Sequence, residues 1–135
     1  MKIIRLFISS VFFFSFAFIF LLKAQAATVT WTGGSGAWET GSNWTGGNAP
    51  GSGDDAVINT AVTVQLNGAT TVQSLTLGNG TNASTLNFNY DAIAGSPLTI
   101  SGGSLAVLQN AVITHTGGST SSILARVNID VTSGN

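Results

Sequence analysis

Apolar residues fall into two regimes along this chain. From Leu6 to Leu22 they are nearly continuous, whereas from Ala56 onward they come in short runs that alternate with polar residues. The runs are Val62-Thr63-Val64-Gln65-Leu66, Leu75-Thr76-Leu77, Leu86-Asn87-Phe88-Asn89-Tyr90, Leu98-Thr99-Ile100, Leu105-Ala106-Val107 and Val127-Asn128-Ile129-Asp130-Val131. Period-two alternation buries one face of a strand and wets the other, so each run predicts a short β-strand. Between them lie Asn67-Gly68, Gly78-Asn79-Gly80, Gly95-Ser96-Pro97, Gly102-Gly103 and Gly117-Gly118, which predict turns. No stretch after Ala26 has the three-to-four-residue apolar spacing of an amphipathic helix, and the fold class is therefore all-β.

The runs also repeat. Leu75-Thr76-Leu77-Gly78-Asn79-Gly80 matches Leu98-Thr99-Ile100-Ser101-Gly102-Gly103, and Thr85-Leu86-Asn87-Phe88 resembles Ser104-Leu105-Ala106-Val107. The first pair is offset by 23 residues (75 to 98) and the second by 19 (85 to 104), which places length variation in a turn. Short strands and glycine corners recurring near every twenty residues predict a β-solenoid, in which inward Leu, Ile, Val and Phe of successive coils stack and backbone groups pair between coils. The alternative that the same strand spacing allows is an antiparallel β-sandwich. Repetition of corner sequence favours the solenoid.

The continuous apolar regime has a different purpose. Lys2 and Arg5 precede it, and Lys23 and the small-residue triplet Ala24-Gln25-Ala26 follow it. That order predicts a secretory signal peptide over residues 1–26, through which the chain meets a membrane only in transit. The mature part, 27–135, keeps Arg126 as its one basic side chain against Glu39, Asp54, Asp55, Asp91 and Asp130, a formal charge of −4. Nucleic acid is excluded as a partner, because phosphate binding needs clustered Lys and Arg. Cysteine is absent, so disulfides do not hold this exported chain.

The mature part opens with Trp31-Thr32-Gly33-Gly34-Ser35-Gly36-Ala37-Trp38 and Asn43-Trp44, and continues through Pro50-Gly51-Ser52-Gly53-Asp54-Asp55-Ala56-Val57-Ile58 to Val72-Gln73-Ser74-Leu75-Thr76-Leu77-Gly78. In that order these motifs resemble the N-terminal part of bacterial autotransporter passenger-like proteins with autotransporter-associated β-strand repeats, over most of residues 28–118. The resemblance implies a right-handed parallel β-helix, exported to the Gram-negative outer surface or secreted. It divides the chain into a signal peptide (1–26), a Trp/Gly-rich N-terminal cap (27–55) and β-helix rungs (56–135). The family runs for hundreds of residues and its autotransporters end in a membrane barrel. Here the sequence given stops at Val131-Thr132-Ser133-Gly134-Asn135, and the expectation is a truncated piece of a longer reading frame.

Candidate chemistry is sparse. His115 has no Cys or second His to share a metal, and is read as a polar outward residue. Asp54 and Asp55 are adjacent, face opposite sides of a strand and so do not form an acid–base pair; they are read as capping the entry to a strand. No metal or cofactor is predicted. A pectinase-like site needs acids clustered with a Lys or Arg, whereas Arg126 stands among Thr, Ser and Asn. The function expected is therefore non-enzymatic: an exported structural or adhesin-like module whose partners are surface glycans or other cell-surface proteins. The alternatives are a carbohydrate-binding module that stacks sugars on Trp31, Trp38 and Trp44, and the N-terminal part of a polysaccharide-active β-helix enzyme. For the tryptophans the competing role is to cover the open end of the solenoid. N-terminal sequencing of the exported protein is expected to begin at Ala27; a chain still starting at Met1 would show an uncleaved anchor.

Overall fold

The computed structural model describes residues 25–89 and 98–116, together with the backbone of 129–131. Residues 1–24 of the signal segment, Tyr90, Asp91 and Arg126, and the turns at Gly95-Ser96-Pro97 and Gly117-Gly118, lie outside the described residues. Among the described residues eleven strands follow one another: β1 (Ala27–Thr30), β2 (Gly36–Ala37), β3 (Asp54–Ile58), β4 (Thr63–Leu66), β5 (Thr70–Val72), β6 (Ser74–Leu77), β7 (Thr85–Phe88), β8 (Leu98–Ile100), β9 (Leu105–Val107), β10 (Val112–His115) and β11 (Ile129–Val131). The only helical pieces among the described residues are single 3-10 turns at Gly41–Asn43 and Thr45–Gly47. None is long or apolar enough to cross a membrane.

The fold is all-β and its sheets are parallel. One sheet has the order β1-β3-β6-β9, a second β2-β4-β7-β10, and a third β5-β8-β11. From β3 onward the chain visits these sheets in strict rotation. Consecutive strands never pair; each pairs with the strand one circuit earlier, running the same way. Parallel pairing requires the chain to travel before it returns, and here the other two sheets are that crossover. An antiparallel sandwich is not adopted: every pairing between these strands is parallel, and the antiparallel contact is a lone bridge between Trp31 and Trp44.

Register turns the alternation of the sequence into columns. Ala56 stands against Leu75 and Leu75 against Leu105; Ile58 against Leu77 and Leu77 against Val107. In the second sheet Val64, Leu86 and Ile113 align, as do Leu66, Phe88 and His115. In the third, Val72 aligns with Ile100. Ala56, Ile58, Val64, Leu66, Val72, Leu75, Leu77, Leu86, Phe88, Leu98 and Ile100 are buried in one cluster, while Thr76 and Thr99 between them are half-buried.

The register differs from the sequence repeat. Leu75 and Leu98 belong to different sheets, so the two Leu-Thr-Leu/Ile motifs do not stack; Leu98 pairs with Thr70, and Leu75 with Leu105. The circuit is 19 residues from Asp55 to Ser74 and 30 from Leu75 to Leu105. Corners absorb the difference. A single residue, Gln73, joins β5 to β6, whereas residues 101–104 make the equivalent corner one circuit later.

Polar ladders hold those corners. Asn89 Nδ2 donates to Asn67 Oδ1 (2.9 Å), and Asn67 donates from both its backbone N (2.7 Å) and its Nδ2 (3.0 Å) to Glu39. On another corner the Asn59 carbonyl accepts from Asn79 Nδ2 and Asn82 Nδ2, and buried Ser84 Oγ donates to the Thr60 carbonyl at 2.6 Å. These side chains satisfy backbone groups that a turn leaves open. Replacing Leu77 by Asp inserts a charge into the Ile58–Leu77–Val107 column and is expected to cost more than about 3 kcal/mol. Thr76→Asp should cost within about 1 kcal/mol. Urea titration followed by far-UV circular dichroism separates the two, and equal losses would mean that the inward face has been misassigned.

Candidate functional site

The opening segment belongs to the same sheets as the rest. β1 lies on β3 through Ala27–Asp54 to Thr30–Val57, and β2 on β4 through Gly36–Val64 and Ala37–Gln65. Asp54 and Asp55 therefore begin a strand inside the stack. After each of these first strands the ladder runs on by one residue: Trp31 N donates to Val57 O and Trp38 N to Gln65 O, both at 2.8 Å. Continuing the register sets Trp31 at the level of Ile58 and Trp38 at that of Leu66, where two buried columns begin.

Trp44 joins them from the loop. Its ring meets Trp31 edge-on at 4.9 Å and 85°, and Trp38 at 4.7 Å and 68°, arrangements in which the positive edge of one indole faces the negative face of another. Trp44 Nε1 donates to the Trp38 carbonyl at 2.7 Å, and Trp31 Nε1 is shared between the carbonyls of Gly33 and Gly34. Trp38 Nε1 is buried with no hydrogen-bond partner. Relative exposures of Trp31, Trp38 and Trp44 are 1%, 1% and 2%. Stacking on a sugar requires an open ring face, and none of the three indoles has one. Phe88, the remaining described aromatic, is also buried, in the column below Leu66.

Asn43 ties the loop down. Its carbonyl accepts from the backbone N of Thr32 (2.7 Å) and Gly33 (3.2 Å), and its Nδ2 donates to the Ala37 carbonyl. Close approach demands glycine here: a Cβ on Gly33 would lie 2.5 Å from Asn43 Oδ1, and one on Gly41 would lie 2.3 Å from the Gly47 carbonyl oxygen. The Gly-rich composition of this segment is thus a packing requirement as much as a turn signal.

The described carboxylates are each engaged locally. Asp54 Oδ2 accepts from Gly51 N at 2.8 Å, Asp55 Oδ1 accepts a short hydrogen bond from Ser74 Oγ, and Glu39 holds Asn67. His115 corrects its expected outward placement. It aligns with Phe88 on the inward-facing side of β10 and is half-buried, because alternation in β10 starts from exposed Val112. Among the described residues no three of His, Asp or Glu come together as a metal set. Asn43 stands in the sequence only as part of the Asn43-Trp44 motif, with no role of its own; the signal for its role is that it lies between the glycines at 33–41 and those at 46–47 and directly precedes a tryptophan.

No protein-family profile, curated protein or solved structure matches this chain.

Trp44→Phe keeps an aromatic side chain but gives up part of the buried indole and the donor to the Trp38 carbonyl, and is expected to lower stability by about 1–3 kcal/mol. Gly41→Ala should lower the melting temperature clearly, whereas Gly34→Ala, with nothing within 4 Å of its Cβ, should hardly change it. Near-UV circular dichroism of the tryptophans and thermal melts check both; equal melts for the two alanine variants would refute the close-packed loop.

Proposed function

We propose that the mature chain is a right-handed parallel β-helix that serves as a non-enzymatic, exported structural or adhesin-like module, the N-terminal part of a surface or secreted passenger protein. The observation that carries this reading is the rotation of strands through three parallel sheets with buried residues in register. A solenoid built this way presents long faces and leaves its surface chemistry to small polar side chains. The export half of the reading rests on Lys2, Arg5, the Leu6–Leu22 run and Ala24-Gln25-Ala26. The resemblance to autotransporter passengers supplies the surface location.

Two features support a scaffold over the alternatives. The tryptophans that would make a carbohydrate-binding module are spent inside the cap. The described acids are engaged in corner and strand-entry hydrogen bonds, so the geometry does not converge them on a cleft where a glycosidic bond would be polarised. Trp31, Trp38 and Trp44 are therefore read as a cap on the first turn. Titration of the exported chain with a panel of surface and plant polysaccharides is expected to leave tryptophan emission unshifted and iodide quenching low. A saturable emission shift that Trp38→Ala abolishes while the fold persists would overturn the scaffold reading in favour of a sugar site.

A further inference from the structure

Two Asn-Gly pairs stand in this chain, Asn67-Gly68 just after β4 and Asn79-Gly80 in the corner between β6 and β7. Asn before Gly is the pair most prone to close a ring on itself, because the glycine nitrogen has no neighbouring side chain to shield it from the side-chain amide carbon. Space does not choose between the two pairs: a Cβ on Gly68 or on Gly80 would meet nothing within 4 Å. Their hydrogen bonds do.

Asn79 Oδ1 accepts from the backbone N of Thr81 (2.9 Å) and of Asn82 (2.8 Å), while its Nδ2 donates to the Asn59 carbonyl (3.0 Å). The residue is exposed. Two main-chain donors converging on one carbonyl oxygen stabilise the charge that develops there when the carbon is attacked. Asn67 is held in the opposite sense. Its backbone N and its Nδ2 both donate to the Glu39 carboxylate, and its Oδ1 accepts from a side-chain amide, Asn89 Nδ2. A carboxylate beside the pair opposes both loss of the Gly68 N–H proton and negative charge on Oδ1. The other described carboxylates, Asp54 and Asp55, are bonded to Gly51 and Ser74, away from the Asn79 corner.

We propose that Asn79 is a site of spontaneous covalent modification, converted through a succinimide to aspartate and isoaspartate, and that Glu39 keeps Asn67 as the amide. Gly80 N gives its proton to water and bonds to Asn79 Cγ, and the negative charge comes to rest on Oδ1 opposite the Thr81 and Asn82 donors. As the carbonyl re-forms, the Cγ–Nδ2 bond breaks and the nitrogen leaves as ammonia, taking a proton from water. Water then opens the ring. Attack at Cγ gives aspartate; attack at the main-chain carbonyl leaves the chain running through the side chain, as isoaspartate. One amide nitrogen leaves, one water oxygen enters, and nothing is oxidised or reduced. Either product loses the Nδ2 donor that ties this corner to Asn59 of the previous turn. Isoaspartate also lengthens the backbone where the next turn packs closely, since a Cβ on Gly78 would lie 2.8 Å from Ala111 Cβ and Asn110 Nδ2 donates to the Thr81 carbonyl.

Incubation of the exported chain at mildly alkaline pH, followed by peptic digestion in acid and mass spectrometry, tests the assignment, with isoaspartate counted by an isoaspartyl methyltransferase. In the folded chain Asn79 is expected to convert about tenfold or more faster than Asn67. In urea, where neither the converging donors nor Glu39 are in place, the two pairs should convert at similar rates. Glu39→Gln removes the charge and keeps an acceptor; it should speed conversion of Asn67 and leave that of Asn79 unchanged. Equal rates at the two pairs in the folded chain, faster loss of Asn67, or a ratio in urea as large as in the folded chain would overturn the proposal. A folded Glu39→Gln chain in which Asn67 stays as slow as before would overturn the role given to Glu39. If that variant fails to fold, the comparison of folded and urea-unfolded chain, which needs no substitution, decides.

Discussion

The parallel backbone ladder between successive turns is the constraint on which the rest of this structure depends. It fixes Ala56 over Leu75 and Leu75 over Leu105, and so decides which side chains of each run point into the stack. Without disulfides and with few charges, apolar burial and backbone pairing are the forces left to hold the chain, and both act between turns more than within them. A turn by itself buries little. This explains why strands of two to five residues suffice: each is stabilised on its edges by neighbours and on one face by the column.

Such a stack creates a difficulty at its ends, where a column of Leu and Ile would meet water beside unpaired backbone. At the first turn the chain answers with three indoles, large flat groups that cover two columns at once, and with Asn43, whose side chain and carbonyl occupy groups of β2 and of the turn after β1. The glycines at 33 and 41 are there because the loop folds onto itself at distances that exclude a Cβ. A surface tryptophan cluster invites a ligand; a buried one with edge-on packing and indole donors given to main-chain carbonyls is an architectural device.

Much of the fold was legible in the alternating runs. Val64, Leu66, Leu75, Leu77, Leu86, Phe88, Leu98 and Ile100 all read as inward from sequence and all are buried, because period-two alternation is a direct imprint of one wet face and one dry one. The register was not legible. The Leu-Thr-Leu/Ile repeat reflects the shared demand of any inward-facing strand followed by a glycine corner, and similar solutions recur in different sheets. Strand β5 escaped notice since Thr70-Thr71-Val72 holds one apolar residue and only Gln73 separates it from β6, too short a segment for periodicity to show. The tryptophans were visible as a group, yet aromatic residues near Gly and Asn look alike whether they cover a core or receive a sugar. Only the third dimension separates those roles.

Since the chain has no cysteine, paired cysteine substitutions report register directly. Thr76 and Ala106 are partners on the non-core side of the first sheet, 30 residues apart, where neighbouring strands are spaced about 4.8 Å. Thr76 and Thr99 are equivalent in the sequence repeat but lie in different sheets. With a short bifunctional thiol reagent, the stacked register predicts rapid intramolecular cross-linking of the Thr76→Cys/Ala106→Cys protein and little in Thr76→Cys/Thr99→Cys. Efficient cross-linking of the second pair and not the first would contradict the stacked register.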